Sequence, residues 1–290
     1  RPAAASRPSP PRTRPGRRTP WEGECHHVRG VELRHFCAWL ARIPDEESPL
    51  AGISREAFWG YCAYRHFEEL FPELPEGERA QLADFGRLLG APAPADGAPA
   101  LWLGSAGART PCHRDAYGCN LVAQLSGEKK WLLFPPGDAA LFGEQRLPYE
   151  DATVFTARDP LAEGPPPGSR GLVANLRPLD VLFVPRHWIH AVECESDWSL
   201  SVNQWFRAHG DDEERVRERV ARCLATPLLE DAPEDWWLNP DEELFCTGRN
   251  VDGLRDAVAG LGCESSGAQV RQALLRAATR PEVVAAVARG

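Results

Sequence analysis

The chain has 290 residues, 43% of them apolar, and a formal net charge of −9 at pH 7. This length and composition support one large domain, or one domain with a smaller companion. The acidic balance argues against a general nucleic-acid-binding protein, because such proteins need a basic surface. The sequence contains no run of about 18 apolar residues, so it predicts no membrane-spanning helix.

The nine cysteines are odd in number, scattered along the chain and never arranged as a Cys-x-x-Cys pair. This pattern indicates reduced thiols in an intracellular protein rather than a disulfide framework. It also argues against the usual cysteine-rich zinc modules. We therefore expect a cytoplasmic protein, with the nucleus as the alternative.

The N-terminal part of the chain divides into two segments of different texture. Residues 1–20 contain six Arg and six Pro and almost no apolar side chains, so they are predicted to be disordered. Residues 30–43 and 54–71 carry apolar side chains at helical spacing. We therefore predict a helical N-terminal part over residues 21–94.

Residues 95–207 consist of short apolar runs separated by turn sequences such as SGE, PPGD, RPLD and ESD. Many short strands at close spacing are typical of an all-β barrel or sandwich. The pattern is helical again over residues 208–290, with helices predicted at the segment DDEERVRERVARCL, at 251–262 and at 267–289. The sequence thus predicts a mainly β fold with flanking helices.

The segment TPCHRDAYGCN contains His113 and Asp115, two positions apart. Because alternate residues of a strand share a face, both side chains can reach one metal ion. His190 lies 75 positions after Asp115, at the start of another predicted strand. Two histidines and one carboxylate leave coordination positions open, as in non-haem Fe(II) oxygenases. The competing interpretation is that the three are ordinary polar residues of a β protein.

His187 competes with His190 for the third ligand position, because the segment RHWIH contains both. Two residues three apart on a strand point to opposite faces, so only one of them is expected to bind the metal. His190 is preferred because it lies inside the apolar run, whereas His187 follows the turn.

The only two lysines, Lys129 and Lys130, begin a predicted strand side by side. A cosubstrate such as 2-oxoglutarate chelates iron at one end and needs a cation for its far carboxylate. Neighbouring strand residues point to opposite faces, so one lysine can enter the barrel while the other faces water. Thr110 can donate a hydroxyl to the same carboxylate. Asn120 and Asn203 are amides within apolar strands, where a buried amide needs partners.

The segments LWLGSAGARTPCHRDAYGCNLVAQLSGEKKWLLFPP and PLDVLFVPRHWIHAVECESDWSLSVNQWF resemble the JmjC domain. The similarity is to the subgroup of protein hydroxylases related to the asparaginyl hydroxylase of hypoxia-inducible factor, and closer still to the JmjC subgroup that associates with a small heat-shock protein. It extends over about residues 54–225. It implies a double-stranded β-helix (a jelly-roll or cupin-like barrel) with Fe(II) held by His113, Asp115 and His190.

The resemblance also implies the residues that hold 2-oxoglutarate. Lys129 matches the lysine that pairs with the far carboxylate, and Tyr61 matches a cosubstrate tyrosine, with Tyr64 as the alternative. The other matching cosubstrate and pocket positions are Thr110, Asn120, Asn203 and Trp205. Asn120 lies one residue further from the His-x-Asp motif than in the asparaginyl hydroxylase, which leaves its role open.

Two functions follow from the resemblance. The first is a 2-oxoglutarate-dependent dioxygenase that hydroxylates a protein side chain. The second is an adaptor on the same scaffold that binds a small heat-shock protein, as a related JmjC subgroup does. Related hydroxylases dimerise through their C-terminal helices, so homodimer formation is an alternative to packing of these helices within one chain.

Overall fold

The computed structural model describes residues 3–6, 25–82, 85, 97–145, 152–225 and 247–261 and the single positions 272, 275 and 279. The strands in this part of the chain are β1 Ala3–Ser6, β2 Cys25–Val28, β3 Trp59–His66, β4 Ala100–Ser105, β5 Arg109–Asp115, β6 Cys119–Ser126, β7 Lys129–Phe134, β8 Glu144–Gln145, β9 Thr153–Thr156, β10 Leu172–Leu176, β11 Val181–Val184, β12 Ile189–Cys194 and β13 Trp198–Phe206. The α-helices are α1 Leu33–Leu40, α2 Phe67–Leu70, α3 Glu76–Leu82, α4 Ala139–Phe142, α5 Pro160–Glu163, α6 Asp211–Ala225 and α7 Thr247–Gly260.

The strands form two antiparallel sheets. The larger sheet has the order β11-β6-β13-β4-β3-β1-β2, and the smaller one has the order β10-β7-β12-β5-β9-β8. From β4 to β7, and again from β10 to β13, consecutive strands alternate between the two sheets. This alternation is the winding of a double-stranded β-helix, so the predicted mainly β, cupin-like fold is confirmed.

The outer face of the larger sheet carries the main hydrophobic core. Leu101 and Leu103 of β4 and Val202 of β13 pack there against Phe36 and Leu40 of α1. At each of these strands the alternate residues point to the other face, into the barrel. Helix α1 therefore covers the outer face of the larger sheet and leaves its inner face free to carry polar side chains.

Helix α1 is capped at its start and packs closely on the sheet at its middle. At the start, the backbone N–H of Glu32 donates to His35 Nδ1 (3.2 Å), which completes a capping box. In the middle, a Cβ added to Gly60 of β3 would lie 2.8 Å from the rings of both Phe36 and Trp39. The absence of a side chain at Gly60 thus allows the helix to approach the strand closely.

The helix predicted over residues 54–71 is wrong for most of its length. The structure has the strand β3 at Trp59–His66, and only the four residues of α2 that follow it are helical. The aromatic residues of this segment favour a strand as much as a helix, and Gly60 weakens a helix. Pairing with β4 decides between the two, because it adds the segment to the sheet that forms the barrel. The helix predicted over residues 30–43 is confirmed as α1.

The structure also differs from the predicted disorder of residues 1–20 at one place. Ala3–Ser6 forms strand β1, which pairs with β2 on one side and β3 on the other. These four residues contain neither Arg nor Pro, so every backbone N–H in them is available to a sheet. Residues 7–24 lie outside the described part of the chain.

The helices after the barrel pack against each other and are tied to the barrel mouth. Val216 and Val220 of α6 and Ala257 of α7 share a small core. Asp211, at the start of α6, accepts a hydrogen bond from the Gly118 backbone N–H (3.1 Å) and pairs with Arg186 (2.9 Å).

Of the three helices predicted after the barrel, the first two are confirmed as α6 and α7. The third, predicted over 267–289, falls almost wholly outside the described residues. Homodimer formation through these helices stays a prediction.

No helix in the described ranges combines the length and the apolarity that crossing a membrane requires.

We predict that Gly127→Ala destabilises the fold by about 3 kcal/mol or more, because two penalties act together. Gly127 has a φ of +66°, and an added Cβ would collide with the Trp198 carbonyl oxygen and lie 2.9 Å from Ser199 Cα. Gly168→Ala is the matched control, since its φ is +84° and nothing lies within 4 Å of an added Cβ. It should lose only about 1 kcal/mol, the cost of the left-handed backbone alone. Urea denaturation measures both, and equal losses would contradict the expectation.

Candidate metal centre and cosubstrate cavity

The three predicted metal ligands meet at one end of the barrel. His113 and Asp115 lie on β5, and His190 lies on β12 directly opposite His113 in the strand register. The two imidazole centroids are 4.2 Å apart, and His113 Nε2 lies 3.7 Å from Asp115 Oδ1. One ligand atom from each residue lies within 4.8 Å of the other two. His113 and His190 are largely buried, at 9% and 3% exposure.

Backbone carbonyls set the orientation of both imidazoles. His113 Nδ1 lies 2.7 Å from the Pro111 carbonyl oxygen, and His190 Nδ1 lies 3.0 Å from that of Trp188. Because a carbonyl only accepts hydrogen bonds, each Nδ1 carries a proton, and Nε2 is the nitrogen left to bind a metal when the ring is neutral. Burial, reinforced by the neighbouring His190, lowers the pKa of His113 to about 4, against the opposing effect of Asp115. At neutral pH His113 is therefore the neutral imidazole that binds metals.

The third ligand is held by an indole. Trp205 Nε1 donates to Asp115 Oδ2 (3.0 Å), while Oδ1 is the oxygen nearer His113. Hydrogen bonds of this kind to a ligand orient it and tune its affinity for metal. Trp205 was predicted to line the pocket, but its contact with Asp115 was not predicted.

His187 is excluded from the metal centre by its position. It lies in the turn before β12 with a φ of +67°, and its Nε2 donates to the Ala116 carbonyl oxygen (2.8 Å). The choice of His190 over His187 thus agrees with the geometry.

The donor set fits Fe(II). It offers two imidazole nitrogens and one carboxylate oxygen, and no fourth His, Cys or carboxylate joins the group among the described residues. Such a set leaves coordination positions open, which a metal that takes a chelating cosubstrate and O₂ requires. A structural zinc site would instead have four protein ligands.

A cavity extends from these ligands into the barrel, and every predicted site residue lines it. They are Tyr61, Thr110, His113, Asp115, Asn120, Lys129, His190, Asn203 and Trp205. Sequence reasoning missed five further lining residues, which are Trp102, Val122, Trp131, Val192 and Ser201. Strand alternation could have found four of them, since each lies two positions from a predicted residue on the same strand.

Lys129 lies at the inner end of the cavity and is 1% exposed. Its Nζ donates to Ser201 Oγ (2.7 Å) and lies 3.4 Å from the Tyr61 hydroxyl. No carboxylate forms an ion pair with it among the described residues, and burial lowers its pKa to about 8. Lys130, the next residue, lies half-buried on the opposite face of β7. Of the two lysines, Lys129 is therefore the one that enters the barrel.

One hydrogen-bond donor in the cavity has no acceptor among the described residues. Trp131 Nε1 is buried without a partner, and its ring stacks on His190 at a centroid distance of 5.6 Å. The two asparagines, by contrast, satisfy each other, because Asn203 Nδ2 donates to Asn120 Oδ1 (2.9 Å). A buried ammonium without an anion and a buried indole N–H without an acceptor fit an anionic ligand lying between Lys129 and the metal. The residues therefore fit 2-oxoglutarate.

The choice between the two tyrosines is also clear from the structure. Tyr61 is buried, contacts Lys129 and lines the cavity, and burial raises the pKa of its hydroxyl above the ordinary value. Tyr64 is 40% exposed and packs on Trp102 and Trp205 instead. Of the two tyrosines, Tyr61 is thus the one that lines the cavity.

A bulge in β5 brings Thr110 into the cavity. His190 pairs with His113, but Val192 pairs with Thr110, so β5 has one extra residue between the two pairs. In a regular strand, residues three apart point to opposite faces. The bulge reverses this alternation and puts Thr110 and His113 on the same inner face.

Comparison with known proteins agrees with this architecture. The Cupin-like domain family matches residues 23–212, which is more than half of the chain. The chain belongs to this family.

The chain is also similar in sequence to several proteins whose names record a function or a partner. The chain is 37% identical to the HSPB1-associated protein 1 homolog of Danio rerio over 238 residues, which are 77% of this chain and 51% of that protein. It is 35% identical to HSPB1-associated protein 1 of Homo sapiens over 231 residues, with 77% and 46% covered. It is 29% identical over 134 residues to the human bifunctional peptidase and (3S)-lysyl hydroxylase JMJD7, with 37% and 40% covered. The predicted resemblance is confirmed, and the chain spans about half the length of the HSPB1-associated relatives.

We predict that Lys129→Met stabilises the ligand-free fold at pH 7. The folded-state pKa of about 8 lies below the ordinary 10.5, so the charged form is disfavoured by folding. At 1.36 kcal/mol per pH unit this difference corresponds to about 3 kcal/mol below pH 8, less the lost hydrogen bonds of Lys129.

The sign of the pH dependence follows from proton binding. Between pH 8 and 10.5 the unfolded chain binds more protons at this lysine, so wild-type stability rises with pH relative to Lys129→Met. Denaturation at pH 7 and pH 10 measures the difference, with Lys130→Met as the matched control. A difference that stays constant between these pH values would contradict the burial of a charged Lys129.

Proposed function

We propose that this protein is an Fe(II)- and 2-oxoglutarate-dependent dioxygenase that hydroxylates a protein side chain. One observation carries the proposal: two inward-facing imidazoles and a carboxylate stand at one end of a cavity whose other end holds the unpaired ammonium of Lys129. The metal ligands and the cation then line one cavity, as binding both ends of one dicarboxylate ligand requires. Neither feature alone would favour 2-oxoglutarate over another anion or another metal ligand.

Different residues of the chain would hold the metal and the cosubstrate. His113, Asp115 and His190 would hold Fe(II), which together with 2-oxoglutarate supplies the oxidising chemistry with O₂. Lys129 and Ser201 would bind the far carboxylate through charge-assisted hydrogen bonds.

The cavity walls between the two ends are mostly apolar. Val122, Trp131 and Val192 belong to one buried cluster that faces the cavity. These side chains exclude water, which strengthens the electrostatic contacts to the ligand and limits side reactions. The indole N–H of Trp131 is the polar exception, and it is free to donate to the cosubstrate.

A protein side chain as the substrate is supported by relatives rather than by a contact in the cavity. The JmjC subgroup that the motifs resemble consists of protein hydroxylases, and the name of the JMJD7 relative records a lysyl hydroxylase. The identity of the side chain in this case is a matter for experiment.

The first experiment measures conversion of 2-oxoglutarate to succinate by the full natural chain, with and without Fe(II). We expect iron-dependent turnover that falls at least about 100-fold in His113→Ala, because two ligands hold the metal far less tightly than three. His209→Ala is the matched control, since His209 is an exposed histidine outside the cavity. Turnover that persists in His113→Ala would refute the proposed metal centre.

The second experiment measures 2-oxoglutarate affinity by calorimetry. Lys129→Met should raise Kd about 10- to 100-fold, since hydrogen bonds to a charged group contribute roughly 1.5–3 kcal/mol. Lys130→Met carries the same substitution one residue away on the other face of β7, and its Kd should not change. Equal effects of the two variants would show that charge in general, and not the cavity lysine, attracts the ligand.

The same interaction sets a pH dependence. A bound carboxylate favours the protonated lysine, so it raises the pKa of Lys129 above its ligand-free value of about 8. Binding near pH 8 should therefore take up about half a proton, and affinity should fall about tenfold per pH unit above that value. Calorimetry in buffers of different ionisation enthalpy detects the uptake. Lys129→Met should show none.

We also propose that the protein binds a small heat-shock protein, because the names of the relatives at 35–37% identity record association with HSPB1. This function does not depend on the chemistry of the metal centre. Purified HSPB1 should bind wild type and His113→Ala with equal affinity in biolayer interferometry. Absence of binding to either would remove the partner proposal and leave the oxygenase proposal intact.

A further inference from the structure

A second bulge lies in β3, beside the metal centre. Tyr61 pairs with Gly104 and Cys62 with Leu103, but the next paired residue of β3, Arg65, stands opposite Leu101. Two residues of β3 therefore face the single residue Trp102. Bulges are frequent next to active sites, where they redirect a side chain.

The redirected side chain is that of Tyr64. Tyr61 and Tyr64 are three positions apart, so a regular strand would point them to opposite faces. In the structure both rings contact Trp102, at centroid distances of 5.9 Å and 5.8 Å. The bulge has thus brought Tyr64 to the inner side of the sheet, beyond the cavity lining.

The conformation of Tyr64 is strained. Its φ of +55° lies in the left-handed region, which is unusual for a bulky residue and costs on the order of 1–3 kcal/mol. Burial offsets little of this strain, since the side chain stays 40% exposed. Such a conformation persists only where the surrounding contacts hold it.

Those contacts lead to the metal centre. The Tyr64 ring lies 5.5 Å from the ring of Trp205, and Trp205 Nε1 is the donor to Asp115 Oδ2. On its other side Tyr64 meets His66 edge-on at 5.3 Å. The indole of Trp205 is therefore supported on the side of its ring that faces β3.

We propose that Tyr64 is a positioning residue of the metal centre. The bulge sets its ring against Trp205, and Trp205 in turn holds the carboxylate of Asp115 with Oδ1 left for the metal. The inference rests on the proposed function, because it takes Asp115 as a metal ligand. It goes beyond that function in assigning the strained tyrosine and its bulge a role at a distance from the cavity.

The physical reason is the freedom of a carboxylate. With Oδ2 engaged by the indole, Asp115 offers the metal one oxygen and leaves the remaining positions open. Without that hydrogen bond the group can rotate, so that it binds through both oxygens or turns away. Partners of metal ligands commonly change metal affinity by about 10- to 100-fold.

The test uses variants at two left-handed positions. Tyr64→Gly removes the ring and adds no strain, because glycine adopts a φ of +55° freely. Tyr64→Phe keeps the ring. Leu179→Gly is the matched control, since Leu179 has a φ of +80° and lies 93% exposed in the turn between β10 and β11. Tyr64→Asn, another residue that tolerates this conformation, serves if Tyr64→Gly fails to fold.

Two readouts are needed. The first is hydrogen exchange of the Trp205 indole N–H in metal-free protein, followed by NMR and assigned as the signal missing from Trp205→Phe. The second is affinity for Co(II), followed by its visible absorption. Tyr64→Gly should speed indole exchange at least tenfold and weaken Co(II) binding about tenfold. Tyr64→Phe and Leu179→Gly should match wild type in both.

The outcomes separate this inference from the function beneath it. Unchanged Co(II) affinity in Tyr64→Gly would overturn the positioning role while the metal centre stands. Weaker Co(II) binding with unchanged indole exchange would also overturn it, because the effect would not pass through Trp205. Wild-type protein that binds no Co(II) would refute the proposed function and the positioning role with it, even if the exchange data show that the Tyr64–Trp205 contact exists.

Discussion

The ammonium of Lys129 lies at the inner end of the barrel, where it is almost completely buried and has no carboxylate partner among the described residues. Burial of an unpaired charge works against folding, so groups inside the barrel must replace the hydrogen bonds that water would make to the ammonium. The Ser201 and Tyr61 hydroxyls do so in part. The position of this charge also determines what the cavity can bind, because an anion is the ligand that removes the penalty.

At the other end of the cavity, the side chains must attract a cation instead of an anion. A metal binds the neutral imidazole, and burial lowers the pKa of His113 so that this ring is neutral at pH 7, while the Pro111 and Trp188 carbonyls accept from Nδ1 of the two rings and orient them. Asp115 would leave coordination positions open if it bound a metal through one oxygen only. Trp205 donates a hydrogen bond to the other oxygen, Oδ2. The same cavity therefore carries a buried cation at one end and two imidazoles with a carboxylate at the other.

The two bulges explain how a regular sheet meets these demands. A strand that alternates strictly would leave Thr110 outside the cavity that His113 faces, and would turn Tyr64 away from Trp205. One extra residue in β5 and another in β3 change the alternation at those points and nowhere else in the pairs concerned. Leu101, Leu103 and Val202 still pack in the core under α1, so the bulges that shape the site leave these outward contacts in place.

Strands β4, β6, β7 and β10 to β13 were predictable from the sequence because each is a short, largely apolar run bounded by turn residues, whereas β5 (RTPCHRD) is mostly polar. That His113 and Asp115 share a face was predictable for a related reason, since residues two apart on a strand point to the same side. Choosing Tyr61 over Tyr64, and placing Thr110, depended on bulges that leave no trace in the alternation of side chains.

The sequence by itself determined where most of the barrel strands lie and that His113 and Asp115 share a face, because both follow from local periodicity. Tertiary structure alone decided that Trp59–His66 is a strand and that Trp205 holds Asp115. It also decided that Lys129 is buried without an anion. The physical reason is that pairing, burial and charge compensation depend on residues far apart in the chain, whose distance from one another no local pattern records.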